Sequence, residues 1–200
     1  MAEQNEPIEA LPLIRKRKIL GIIIPLINLP MFAISVYAAA NYLMLGSSTN
    51  SFELFNSAAM IVSTILVGVV LPWWTPVYTS SYMMEKTGFR IKRFLRRSLL
   101  IPYKNIARAE VYIREPGDIS EEAEKYAKES SEKLRKTGFS FMDYTNSEAN
   151  IVLLLTGRKI IMVSPAKPKS FLKSLKSKSP KLSGKVVELN AHGKSVQELE

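Results

Sequence analysis

The chain has 200 residues, no cysteine, a single histidine and a formal net charge of +10, and 46% of it is hydrophobic. Without cysteine it holds no disulfide, thiol nucleophile, thiolate metal site or iron–sulfur cluster, so packing and surroundings must stabilise it. Apolar residues crowd before residue 82 and the positive charge lies outside the apolar stretches, which directs the basic surface toward phosphate-bearing lipid or nucleic acid.

Residues 19–45 carry no charge. At about 1.5 Å per helical residue they exceed the roughly 30 Å hydrocarbon core of a bilayer, and they read as a first transmembrane helix. Pro25 and Pro30 read as kinks that neighbouring helices accommodate, and the amides of Asn28 and Asn41 should seek a partner on another helix. A second uncharged stretch predicts a transmembrane helix over 54–81, with Trp73 and Trp74 as interface anchors between Pro72 and Pro76. The loop between them, 46–53, has no Lys or Arg. Arg15, Lys16, Arg17 and Lys18 precede the first span, and Lys86, Arg90, Lys92, Arg93, Arg96 and Arg97 follow the second. The positive-inside rule makes the first four topology-determining and predicts a two-span protein of the cell membrane with both termini, including residues 1–18, in the cytoplasm. A signal peptide cut after the alanines at 38–40 competes, but the apolar run is longer than the roughly 7 to 15 residues of a signal core. A buried helix pair of a soluble protein is disfavoured by length.

Beyond the spans the period changes to two. A short strand at 82–86 stops at Thr87 and Gly88. Phe89, Ile91 and Leu95 then face inward against Arg90, Lys92 and Arg96, with a hairpin break at Arg96 and Arg97. Strands at 98–101 and 107–114 follow, the second alternating Ala107, Ala109, Val111 and Ile113 with Arg108, Glu110, Tyr112 and Arg114. Asp118, with Glu121 three residues on, opens a polar helical insertion over 118–136. Phe139, Phe141 and Tyr144 mark a fifth strand, and 151–155 with 159–164 form a hairpin around Gly157. Pro168 starts an amphipathic helix through 178 that places Phe171, Leu172 and Leu175 on one face; it closes the end of a small barrel or lies on a membrane surface. From 179 to 200 the pattern dissolves into a disordered tail despite Val186 and Val187.

Seven candidate strands and a C-terminal helix, hung after two spans, resemble the prokaryotic membrane proteins that carry a bacterial-type pleckstrin-homology (PH-like) domain. The residues that carry the likeness are Thr87-Gly88-Phe89-Arg90-Ile91, the stretch from Ile101 through Pro102, Tyr103, Lys104 and Asn105 to Ile106, and Gly157-Arg158-Lys159 leading to Ser164-Pro165 with Phe171 and Leu175. The resemblance covers 82–178 and implies a seven-stranded split barrel of two antiparallel sheets capped by a helix. It also implies binding or assembly rather than catalysis. The insertion at 118–136 departs from the short connection the family has there.

For function, the sequence singles out Lys86, Arg90, Lys92, Arg93, Arg96, Arg97, Lys104 and Arg108 as an anionic-lipid-binding set, each cation gaining about 1 kcal/mol at a charged leaflet. The plainer explanation is that cations after a span merely orient it. A second basic run, 158–185, contains no acid. Nucleic acid ranks below lipid because no zinc-ligand set, RNP-like strand or helix-turn-helix is present. The lone His192 sits in the tail, no glycine-rich phosphate loop occurs, and nothing indicates a catalytic residue, metal, cofactor or small-molecule substrate. The spans lack the ionisable residues of a transport path. The expected protein is a membrane-anchored, non-enzymatic interaction module facing anionic lipid. The alternative is a structural or assembly subunit whose ligand is a protein, either a second copy or a membrane-complex partner.

Overall fold

The computed structural model of the chain describes residues 6–45, 51–74, 77–114, 138–190 and 193–199. The chain divides into two units: Ile14–Tyr78, which is helical, and a mainly-β unit made of Met1–Leu13 with Thr79–Glu200.

In the helical unit α1 is Arg15–Leu45, and α2, Ser51–Ile65, continues through a π turn at Leu66–Val70 into α3, Leu71–Trp74. α1 takes in the basic tract and runs through Pro25 and Pro30 without ending. Pro72 explains the π turn: it has no N–H to return to the carbonyl four residues back, and the Leu71 N–H instead bonds the Leu66 carbonyl, five back. Asn28 donates to the Ile24 carbonyl at 2.8 Å, Ser35 to Met31 at 2.8 Å and Thr64 to Met60 at 2.9 Å. Asn28 therefore does not need the interhelical partner expected for it, because a carbonyl one turn back in its own helix is already within reach. The two helices run antiparallel, with Gly68 against Asn28 and Gly21 beneath the Val77 carbonyl, where a Cβ would meet that oxygen at 2.7 Å. Residues 46–50 of the expected outer loop, and Pro76, lie outside the described residues; α2 begins at Ser51, inside the expected loop. The 27-residue window Arg15–Asn41 and the 19-residue window Phe55–Trp73 are long and apolar enough to cross a membrane, and only 11% of each is buried.

The β unit has two sheets. β1 (Glu6–Ile8), β2 (Ser80–Met84), β3 (Gly88–Arg93) and β4 (Arg96–Pro102) form an antiparallel sheet in that order. β5 (Arg108–Arg114), β6 (Ser140–Asp143), β7 (Asn150–Thr156), β8 (Lys159–Val163), β9 (Ser183–Asn190) and β10 (Gly193–Leu199) form the second, in the order β10-β9-β5-β7-β8-β6. β8 and β9 run the same way with β7 and β5 between them, since β9 is parallel to β5. A parallel return needs a crossover, and the helix α4 (Pro168–Lys178) supplies it, packing over β5, β7 and β9. The inner faces meet in one core. Tyr82, Met84, Phe89, Ile91 and Ile101 of the first sheet pack with Val111, Val152, Leu154 and Val163 of the second and with Phe171, Leu172 and Leu175 of α4. Phe89 and Phe171 meet edge to face at 5.1 Å.

Several expectations are corrected. Ten strands, not seven, occur among the described residues, no sheet closes into a barrel there, and the second sheet is mixed because β5/β9 and β6/β8 pair in parallel. Ser80 and Ser81, expected at the end of the second span, belong to β2. The tail is not disordered: Leu182, Val186, Val187 and Leu189 are buried and β9 pairs with β5 along Arg108 to Arg114. Glu6–Ile8, part of the N-terminal segment, is a strand on β2. The turn after β3 is Phe94 and Leu95 rather than Arg96 and Arg97, which turns Leu95 out instead of in. The insertion at 118–136 and His192 lie outside the described residues.

Candidate functional site

Where the chain leaves the β unit for the helices and where it comes back, both segments are fastened to one side chain. Asn146 is fully buried in the loop between β6 and β7. Its Oδ1 accepts from the Ser80 N–H at 2.7 Å, and its Nδ2 donates to the Ser80 and Leu11 carbonyls at 2.9 Å each. Its own N–H donates to the Ser164 Oγ at 2.7 Å. The Tyr82 hydroxyl donates to the Tyr144 carbonyl at 2.7 Å and accepts from the Ser164 N–H at 3.1 Å; burial pushes this phenol above its ordinary pKa. Leu11 N–H to the Ser164 carbonyl and Ala166 N–H to the Glu9 carbonyl complete the attachment. A hydrogen-bonded network of this kind, closed at both carbonyls and the amide, fixes geometry because each member left unpaired would pay its desolvation in full.

This end of the first sheet carries the β3–β4 hairpin. Ser80 pairs with Arg93, and Arg93 with Arg96, so Phe94 and Leu95 form the turn just past the end of β2 at which the chain arrives from the helices. A bulge lies here: between the Ile91–Leu99 and Arg93–Arg96 pairs β3 has only Lys92 where β4 has Arg97 and Ser98. Phe94 is 66% exposed and Leu95 39%, and Leu95 holds φ 62°.

The eight cations expected to form one lipid-binding set do not share a surface. Arg93 is buried: period two puts it on the same face as Phe89 and Ile91, and it donates to the Asp143 carbonyl at 2.8 Å with its guanidinium 5.1 Å from the Tyr144 ring centre. Burial and then the neighbouring Arg96 charge lower its pKa from the ordinary arginine value. Arg96 stacks on the same ring at 4.9 Å and is half-buried. Arg90 lies on the outer face, in an ion pair with Glu85 that holds this carboxyl below its ordinary pKa, and it also donates to the Ser98 Oγ at 3.1 Å. Arg108 lies on the second sheet, paired with Glu110 at 2.8 Å. Arg90 and Arg108 thus lie on different sheets. Lys86, in the β2–β3 turn, and Lys104, in the 3₁₀ turn after β4, are exposed at the opposite end of the first sheet from Ser80. Lys92 and Arg97 are the exposed cations beside the Phe94–Leu95 turn.

Trp73 is 44% exposed at the end of the apolar helical run; the side chain of Trp74 lies outside the described residues. Arg15, Lys16 and Lys18 are exposed and Arg17 half-buried in the first turn of α1, which contains no acid. Cations there oppose the helix dipole, so helix stability does not account for them. Among the described residues no three His, Cys, Asp or Glu side chains converge as a metal site.

Sequence reasoning missed Asn146, Ser164 and the Tyr82 hydroxyl, which carry no local signal: a Thr-Asn-Ser run reads as any loop. Phe94 was missed as well, the turn having been expected at Arg96 and Arg97; the signal that could have found it is the apolar pair Phe94-Leu95 between Arg93 and Arg96. No protein-family model, curated protein or solved structure matches this chain.

Proposed function

We propose that the chain is a membrane-anchored, non-enzymatic interaction module. In this reading α1 and the α2–α3 run cross the bilayer, and the β unit is held at the cytoplasmic surface of the cell membrane with Lys92 and Arg97 toward anionic headgroups. The observation that carries it is the Asn146 clamp. It fastens both connections to the helices at one end of the β unit, which a hairpin of two spans requires and which brings the Phe94–Leu95 turn with its cations to the same end. The exposure of the two apolar windows supports membrane crossing over a soluble core, which would bury them. Arg15 to Lys18 support the cytoplasmic side, since helix energetics leave them unexplained. The two sheets with a helix packed on the core support a PH-like ancestry, as a variant extended by β1, β9 and β10.

The test is hydrogen exchange of the full-length protein in bilayer discs of neutral or anionic lipid. Segment 92–98 should gain protection with anionic lipid and lose it with salt, because exposed charge contacts are screened over about 10 Å at 0.1 M salt. Lys92→Glu with Arg97→Glu should abolish the gain. Protection indifferent to lipid charge, salt and both substitutions would refute the headgroup role.

One observation favours the second reading, an assembly subunit. Among the described residues β4 and β6 are the last strands of their sheets, and a groove is lined by Leu99, Leu100, Met142 and Ile161. An edge strand beside an apolar groove can accept a strand from another chain. Crosslinking that captures a partner through Leu100→Cys, with the lipid effects absent, would select it.

A further inference from the structure

The β3–β4 turn departs twice from what the fold needs. Turns of this kind take Asn, Asp or Gly, which tolerate a left-handed backbone and solvent. Here Leu95 occupies φ 62°, where a Cβ is disfavoured, and Phe94 is two-thirds exposed. Neither choice serves the core, and strained residues of this sort collect at functional surfaces. The flanking charge is positive: Lys92 and Arg97 are exposed and Arg96 sits over Tyr144. Asp143, whose charge reaches Arg93, is turned to its own loop, accepting from the Thr145 N–H at 2.8 Å and from the Thr145 hydroxyl at 2.7 Å, and Glu85, whose charge reaches Lys92, is ion-paired with Arg90.

Ser80 is two residues from Tyr78, the last residue of the helical unit, and it pairs with Arg93. The turn thus projects from the end of the sheet where the chain enters and leaves the helices. Thr87, in the β2–β3 turn, lies at the other end, about 17 Å away along a five-residue strand.

We propose that the Phe94–Leu95 turn is a wedge that inserts into the interfacial layer of the bilayer, the two apolar side chains reaching the acyl boundary while Lys92 and Arg97 meet lipid phosphates. An aromatic and an aliphatic residue flanked by cations suit that layer, where one end of the site is apolar and the other wet. The proposal rests on the reading that the helices cross a membrane, and it adds a third point of contact that the helices do not supply.

The absence of cysteine makes the test clean. Phe94→Cys, Leu95→Cys and Thr87→Cys variants of the full-length protein, each labelled with a polarity-sensitive fluorophore, are reconstituted into vesicles of phosphatidylcholine with or without phosphatidylserine. Spin-labelled lipids serve as quenchers, and circular dichroism checks that each variant folds; the label at 95 carries the test if the one at 94 disturbs the turn. Labels at 94 and 95 should emit to the blue and be quenched by lipids spin-labelled near the headgroup, while the label at 87 behaves as in water. Insertion in phosphatidylcholine alone would support the wedge and refute any requirement for anionic lipid. Labels at 94 and 95 as wet as the one at 87 overturn the wedge. So does a blue shift that no lipid-borne quencher reaches, which would mean the turn is buried in protein. Alkaline carbonate extraction separates the two claims: protein that resists extraction while its turn is wet refutes the wedge alone, whereas protein that is extracted refutes the membrane anchor itself.

Discussion

Replacing Asn146 with alanine isolates the clamp. The side chain makes three hydrogen bonds, and its loss deprives the buried Ser80 N–H and carbonyl and the half-buried Leu11 carbonyl of that partner. At about 1 to 1.5 kcal/mol for each broken bond, the sum is about 3 to 4.5 kcal/mol. That is a large share of a domain stability of about 5 to 15 kcal/mol. The loss is local first, since among the described residues β1 joins the sheet through β2 alone. Hydrogen exchange of the full-length protein should therefore show opening of residues 6–13 and 79–84 increased about 10²- to 10³-fold, at about 1.4 kcal/mol per decade, while the β7–β8 hairpin changes far less. Asn146→Asp should be as harmful or worse, because a carboxylate would face two carbonyls in place of the amide donor. Unchanged protection of both segments in Asn146→Ala would refute the claim that this residue holds the two connections together.

Gly88→Ala should destabilise the β unit by about 1 to 3 kcal/mol, because its Cβ would fall 2.4 Å from the Ile101 carbonyl oxygen across the β3–β4 ladder; a thermal melt within error of the parent would contradict that geometry. Truncation after Lys178 removes β9 and uncovers the β5 edge, so the shortened protein should aggregate or lose its cooperative transition in circular dichroism, whereas removal of residues 193–200 should be tolerated far better. Arg93→Ala should lower stability and leave lipid dependence intact in whatever protein folds, and Arg97→Ala should do the reverse, as their burial and exposure require. Burial, with Glu6 and Glu85 nearby, raises the Tyr103 phenol to about 12. The folded state therefore holds this proton more tightly than the unfolded state, so its contribution is complete below the ordinary value of 10.0 and disappears as pH rises through about 12. Phenolate absorbance should show this tyrosine titrating late, and Tyr103→Phe should remove that step.

Local features were read correctly from the residues because their causes are local. Two uncharged runs of spanning length, strands at β3 and β5 with period two, the apolar runs of β7 and β8 around a Gly turn, and α4 with Phe171, Leu172 and Leu175 on one face follow from local sequence. The same spacing already placed Arg93 inward with Phe89 and Ile91, although counting the cations together obscured it. What tertiary structure decided is whatever depends on a distant partner. Glu6–Ile8 is too short to read as a strand and becomes one only against β2, which follows the helical unit in the chain. Val186 and Val187 look like a fragment of a polar tail until the α4 crossover lays β9 along β5, a pairing that no local period announces. The basic block was continuous in the chain, but strands alternate their faces and its members fall on different sheets. Its charge was therefore divided between a core position, two sheets and both ends of one of them. Asn146 shows the limit most plainly, since its meaning lies in Leu11 and Ser80, which only folding brings to it.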